Sequence, residues 1–220
     1  LTFSITGGAD QALFSIGSSS GVLTFDAAPD FENPVDAGMN NIYDVQVTVS
    51  DDGTPPLDDV QDISVTVTDV NDGPTITSDG GGATAMVNAA ENQTAVTTVT
   101  ATDADLPAQT LTFSITGGAD QALFSIGSSS GVLTFNSAPD FENPVDSGMN
   151  NIYDVQVTVA DDGMPALDDV QDIAVTVTDV NEAPTAVNES FAAQSNVGVA
   201  PSAMNGLLVN GTDPDSGDSL

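Results

Sequence analysis

Lysine, arginine, histidine, cysteine and tryptophan are all missing from these 220 residues. Without a cationic side chain, the 33 acidic residues leave a formal net charge of -33 that nothing within the chain opposes. Such a surface repels phosphate, which excludes DNA, RNA and anionic lipid surfaces as partners. No cysteine means no disulfide and no thiolate metal site, and no histidine removes the commonest nitrogen ligand. The metal chemistry left is oxygen-only, which suits Ca²⁺ best and Mg²⁺ less well. General acid-base or nucleophilic catalysis would have to run on carboxylates alone, so the expectation is that the chain is not an enzyme. Apolar runs are too short for a membrane-spanning helix, and no leader segment opens at Leu1. The expectation is an excerpt of a longer, secreted protein with no direct membrane insertion.

What is present is a near-copy. Residues 1–75 align without a gap onto 111–185, with 66 positions identical and 9 different. A fixed period of 110 residues is a domain-sized unit in tandem, long enough to bury its own core. With 40% hydrophobic residues, much of it in alternating Val, Ile, Phe and Thr, the chain reads as folded despite its charge. Gly, Pro, Asn and Asp break the apolar runs into short strands, and no long stretch carries a helical period. In the second copy the expected strands are 95–101, 111–115, 122–126, 131–135, 153–159 and 173–177. Tyr153, Val155, Val157 and Val159 alternate with polar residues, as do Ile173, Val175 and Val177, so each run turns one face to a core. The expectation is an all-β fold, a Greek-key β-sandwich repeated in tandem. Residues 1–75 would form a repeat lacking its first strand, 76–185 a complete one, and 186–220 the leading strand segment of a third.

The acidic residues cluster in a fixed order. Asp30-Phe31-Glu32 and Asp140-Phe141-Glu142 come first, then Asp51-Asp52-Gly53 and Asp161-Asp162-Gly163. At the unit junctions stand Asp69-Val70-Asn71-Asp72-Gly73-Pro74 and Asp179-Val180-Asn181-Glu182-Ala183-Pro184, followed by Asp103-Ala104-Asp105 and Asp213-Pro214-Asp215. Glu91-Asn92-Gln93 opens the second unit. Each motif alone is common, but this order at this spacing resembles the cadherin repeat, a β-sandwich whose Ca²⁺ ions sit between consecutive domains. From Ala186 the chain resembles the leading part of the cadherin-like and VCBS-type repeats of bacterial surface adhesins, with Leu207-Leu208-Val209-Asn210-Gly211-Thr212 before Asp213, which implies a prokaryotic source.

A calcium ion takes six to eight oxygens, more than one short loop supplies. The resemblance therefore implies shared ligand sets. The first junction would use Asp30, Glu32, Asp69, Asn71 and Asp72, with Asp103, Asp105 and Asp161 from the next unit. There Gly73 replaces the family's Asn, at a position that offers a backbone carbonyl. The second junction would use Glu91, Asp140, Glu142, Asp179, Asn181 and Glu182, with Asp213 and Asp215. Glu182 stands where the family carries Asp and is one methylene longer, so fewer or weaker ions are expected there.

Asp58, Asp59 and Asp62, with Asp168, Asp169 and Asp172, read as solvated loop or strand charge. Gly80-Gly81-Gly82 reads as a flexible connector, since no Lys or helix follows it as a phosphate loop requires. Asn92-Gln93-Thr94, Asn188-Glu189-Ser190 and Asn210-Gly211-Thr212 match the N-glycosylation triplet and read as incidental. Phe14, Phe25, Phe31 and Tyr43, with Phe124, Phe135, Phe141 and Tyr153, read as packing residues. The function expected is a Ca²⁺-rigidified structural or adhesive segment of an extracellular or cell-surface protein. Its partners would be neighbouring repeats of the same or an identical chain and a cell-surface or polysaccharide ligand. The alternatives are a filament subunit joined by strand donation from the tail, and a carbohydrate-binding module.

Overall fold

The computed structural model describes residues 1–187 and 212–215. Fourteen strands and three short 3-10 turns make up the regular structure of these residues, with no α-helix among them. In chain order the strands are β1 (Thr2–Gly7), β2 (Phe14–Ile16), β3 (Leu23–Phe25), β4 (Ile42–Ser50), β5 (Asp58–Thr66), β6 (Thr75–Ile76) and β7 (Thr84–Ala90). There follow β8 (Ala95–Thr98), β9 (Ala101–Thr102), β10 (Thr112–Gly117), β11 (Phe124–Ile126), β12 (Val132–Phe135), β13 (Ile152–Ala160) and β14 (Asp168–Thr178). They divide into two compact units. The first takes Leu1–Asp72 with Asp103–Gln109 and Gly163–Leu167; the second takes Gly73–Thr102, Thr110–Asp162 and the chain from Asp168.

The second unit is a two-layer sandwich. One layer orders its strands β10-β13-β14-β7 and the other β11-β12-β8, with β6 and β9 paired separately. Period-two alternation places Tyr153, Val155, Val157 and Val159 of β13 inside, and Ile173, Val175 and Val177 of β14 beside them, all buried. They meet Phe124, Leu133 and Phe135 of the facing layer. Phe124 stacks on Phe135 at 4.6 Å between ring centroids, and Tyr153 meets Phe135 edge-on at 5.2 Å. The aromatic residues are thus core, as their spacing implies.

Residues 76–110 supply more than a leading strand. They contain β7, β8 and β9, and β7 runs parallel to β14 from Asp172↔Thr84 to Thr178↔Ala90. Its inward residues are Ala85, Val87 and Ala89, small side chains that give little hydropathic contrast, which is why the sequence pattern does not reveal the strand. The run expected over 95–101 splits: β8 pairs with β12, whereas β9 pairs with β6. The triple glycine is no loose connector here. Ser78–Gly80 forms a 3-10 turn closed by Gly81 at φ 64°, a conformation glycine adopts without strain, and Gln171 Nε2 donates to the Gly82 carbonyl at 2.8 Å. Asp169 is not merely solvated either, since its carboxylate accepts the Ile76 N–H at 2.8 Å and so anchors β6.

The first unit repeats the same plan with β1-β4-β5 in one layer and the β2-β3 hairpin in the other. Its registers copy those of the second unit, down to the bulge before Gly7 and Gly117. Its core is smaller. Phe14, Tyr43 and Val45 are buried, while Leu23, Phe25, Ile63 and Val65 are only partly so. Their counterparts Leu133, Phe135, Ile173 and Val175 are all buried.

Candidate metal centres

Each unit gathers carboxylates at the same place, and local turn chemistry sets them there. In the second unit the chain between β12 and β13 is knotted by Asp146, whose buried carboxylate accepts the N–H groups of Asn150 (3.0 Å) and Asn151 (3.0 Å). Asn151, at φ 62°, then donates its side-chain amide to the Phe141 carbonyl at 2.8 Å, which fixes the backbone between Asp140 and Glu142. Asp120, also buried, accepts from Ser147 N (2.7 Å) and Asp154 N (2.8 Å) and ties this turn to β13. The first unit builds the same scaffold from Asp36, Asn41 and Asp10. None of these residues stands out in the sequence reading, because an Asp before a Gly and Asn pair looks like an ordinary turn.

In the first unit, carboxylate oxygens of Glu32, Asp69 and Asp105 lie within 4.8 Å of one another. Asp105 is held by the Asp72 N–H, 3.2 Å from both its oxygens, and its own N–H donates to Asp103 Oδ1 at 3.0 Å. Asp30 stands one step back: it accepts the N–H groups of Glu32 and Asn33, each at 3.0 Å, and the Asn33 side-chain amide at 3.1 Å. The Asn33 amide and backbone bonds hold the Asp30 carboxyl below its ordinary range. Glu32 and Asp105 move the other way. Burial raises both, with the neighbouring Asp69 adding to the rise at each. Glu32 Oε1 and Asp103 Oδ2 are buried without a hydrogen-bond partner. A cleft of about 400 Å³ opens beside them, lined by Asp30, Glu32, Asp72 and Ala104 among others.

In the second unit the triad is Glu91, Glu142 and Asp179, again within 4.8 Å; Glu142 and Asp179 repeat Glu32 and Asp69, whereas Asp105 repeats as Asp215 and Glu91 supplies the third carboxylate. Glu91 closes β7 and is 3% exposed; its two oxygens accept Phe141 N and Val180 N, each at 2.8 Å. It therefore holds the loop from β12 and the chain leaving β14 in one place. Both oxygens of Glu142 are buried without a partner, and burial, then the charges of Glu91, Asp179 and Glu182, raises its carboxyl. Asp140 repeats Asp30 by accepting from Asn143. Glu182 donates its N–H to Asp215 Oδ2 at 2.7 Å, and Asp215 in turn receives its place from Asp213 Oδ1. The longer side chain at 182 is used: its Oε1 accepts the Asn92 amide at 2.7 Å. Asn181 donates to the Glu182 carbonyl.

Of the expected ligands, the structure thus brings together Glu32, Asp69 and Asp105 in one unit and Glu91, Glu142 and Asp179 in the other. Asp30, Asp140, Asp103 and Asp213 serve their neighbours' backbone amides; Asn71, Asp72, Asn181, Glu182 and Asp215 border the triads. Asp161 is buried in the second unit. The expected triplets at Asn188 and Asn210, and the tail features from 188 to 211, lie outside the described residues.

The donor set fits Ca²⁺. Every group is an oxygen, three carboxylates converge in each unit, and oxygens up to about 5 Å apart can share an ion that each approaches to about 2.3–2.6 Å. The unpartnered buried oxygens of Glu32 and Glu142 would be satisfied by it.

Comparison with known proteins agrees with the fold. Residues 85–178 match the cadherin domain model. The chain is 31% identical over 219 residues to protocadherin Fat 2 of Mus musculus, covering 97% of this chain and 5% of that protein. It is 34% identical over 153 residues to cadherin-23 of Mus musculus, covering 68% of this chain and 4% of that protein. Among solved structures, protocadherin gamma B2 extracellular cadherin domains 3-6 superpose with a TM-score of 0.55 at 25% identity, over 86% of this chain and 44% of the other. The chain spans about one twentieth of the length of these curated relatives. Both are mouse proteins, so they lend nothing to the expected prokaryotic source. With sheet layers, carboxylate triads and homology in agreement, this chain carries a cadherin-like repeat within an all-β, tandem β-sandwich fold.

Proposed function

We propose that this chain is an extracellular structural and adhesive repeat segment that uses Ca²⁺ at its two carboxylate centres to fix the course of the chain between repeats. The observation that carries this reading is the convergence, in each unit, of three carboxylates with no cationic side chain anywhere in the sequence to neutralise them. In the first centre, Asp69 follows β5 and Asp105 follows β9, so one ion would join two stretches of chain that belong to successive repeats in sequence. The homology to long cadherins and protocadherins supports the extracellular, adhesive setting and a role that is not catalytic. Neighbouring repeats, in the same chain or a second copy, are the partners this reading names.

Calcium supplies the counter-charge; the chain's own residues do the rest. Glu91, Asp30 and Asp140 spend their oxygens on backbone amides and so hold the loops in place before any ion arrives. Glu32 and Glu142, each with a buried oxygen that has no hydrogen-bond partner, would turn to the ion together with the other carboxylates of their triads. Extracellular sites of this class hold calcium at about 0.1–1 mM. Saturation at 100 times the dissociation constant stabilises the folded state by about 2.7 kcal/mol per site. Thermal unfolding followed by circular dichroism tests this: the midpoint should rise steeply with calcium and little with magnesium, whose smaller octahedral shell fits these spread carboxylates less well. A midpoint indifferent to calcium would refute the reading.

A further inference from the structure

We propose that Gln109 is a positioning residue of the first centre, setting how tightly that centre holds calcium by bracing two of its ligands. The inference rests on the calcium reading above. Gln109 Nε2 donates to Asp105 Oδ2 at 2.6 Å and to Asn71 Oδ1 at 2.6 Å. Both distances are short for an amide donor, and both acceptors belong to the ligand set. The orientation of the amide is dictated by this surrounding: turned over, Oε1 would face two oxygens that have no proton to give. Gln109 Oε1 is buried and has no partner of its own, so the contacts of the nitrogen are what hold the side chain.

A chain without Lys, Arg or His has only neutral side chains with which to steady a cluster of carboxylates, and a carboxamide with two N–H groups is the one donor able to grip two acceptors at once. Asp105 Oδ2 accepts from Gln109 and shares the Asp72 N–H with Oδ1, so Oδ1, with that shared N–H as its one donor, keeps a lone-pair site for a cation. The residue thus acts from behind the ligands, fixing the rotamer of Asp105 and the side chain of Asn71 before the ion binds. The 110-residue offset carries Gln109 onto Ser219, which has no amide to donate. In the second unit Asp215 Oδ1 is buried without a partner, where the carboxylate of Asp105 has the Gln109 amide. The two centres therefore differ in what stands behind the ligands and in one member of the triad, Asp105 in the first and Glu91 in the second.

The test is a calcium titration of the full 220-residue chain by calorimetry, with the second centre silenced by Glu142→Gln and Asp179→Asn so that the isotherm reports the first. Removing an outer hydrogen-bond partner of a ligand costs about tenfold or more in metal affinity. Gln109→Leu and Gln109→Ala are expected to weaken binding at the first centre by about tenfold, in chains that still unfold cooperatively in chelator. With the first centre silenced instead, by Glu32→Gln and Asp69→Asn, the same substitutions should leave the second isotherm where it was. Unchanged affinity would overturn the proposal, and so would tighter binding, which would make the amide a competitor of the ion. If the parent chain with both centres intact takes up no calcium, it is the calcium reading that falls, a result visible before any Gln109 variant is made.

Discussion

At the scale of single residues, the centres depend on side chains that never face the ion. Asn151 does two things at once: its backbone occupies the left-handed region at φ 62°, and its amide pins the Phe141 carbonyl. Replacing it separates the two. Asn151→Gly keeps the backbone free of strain and loses only the hydrogen bond, a cost of about 1 kcal/mol. Asn151→Ala loses the bond and also places a Cβ in the left-handed region, adding about 1–2 kcal/mol. Denaturant unfolding in chelator should therefore rank the wild type above the glycine variant and the glycine variant above the alanine one; equal losses would show that the backbone conformation carries no strain. The triad carboxylates were legible in the sequence through their order, but Asn151, Asp146 and Asp120 were not, because a turn Asp reveals its purpose only when its acceptors and donors are located in space.

At the scale of elements, the repeat provides its own control. Leu23 and Leu133 occupy the same position of the same short strand, in a stretch that is identical in the two copies from Gly21 to Phe25. Leu133 is fully buried in a strand paired with β8, whereas Leu23 is only partly buried. Leu133→Ala is expected to cost about 2–5 kcal/mol, the range for a buried leucine, and Leu23→Ala clearly less. Unfolding midpoints of the two variants, compared under one set of conditions, decide it; equal losses would mean that the first unit's layer is covered as completely as the second's. The lesson for reading the sequence is specific. Strands such as β13, built from Tyr and Val at every second position, announce themselves, while β7 relies on Ala85 and Ala89, whose burial follows from fitting beside β14 rather than from hydropathy.

At the scale of the whole molecule, charge dominates, and its response to pH has a definite sign. Burial raises Glu32, Asp105 and Glu142, so without metal the folded state holds protons that the unfolded state has already released. Their contribution is present below the ordinary carboxylate range and is lost as pH rises through the elevated folded values. Asp30 is lowered by the side-chain amide and backbone N–H of Asn33, Asp51 by the backbone N–H groups of Leu57 and Gly53, and at Asp36 the N–H groups of Asn40, Asn41 and Gly38 outweigh burial. Their contribution is present above the ordinary range and is lost as pH falls through the depressed folded values. In chelator, the melting midpoint should therefore rise as pH drops from neutral towards the ordinary carboxylate range and fall again below it. In calcium the first arm should flatten or reverse, because protons and ions compete for the same oxygens. A chelator midpoint that only falls with acid would show that the triads are not desolvated.

The sequence by itself determined the class of fold, the period, the choice of oxygen over nitrogen or sulfur chemistry and the pool of acidic residues from which both triads are drawn. These follow from composition, from alternation of period two and from the order of acidic motifs, all of which are local or additive properties of the chain. Only the tertiary structure decided which carboxylates converge and which serve as scaffolding, that Asp169 anchors β6, that the triple glycine is a set turn, and that Gln109 stands behind Asp105. Each of these depends on how the folded backbone sets groups against one another in space, through a hydrogen bond, a turn or the approach of two loops. A sequence reading has no means of measuring such a relation until the strands have fixed it.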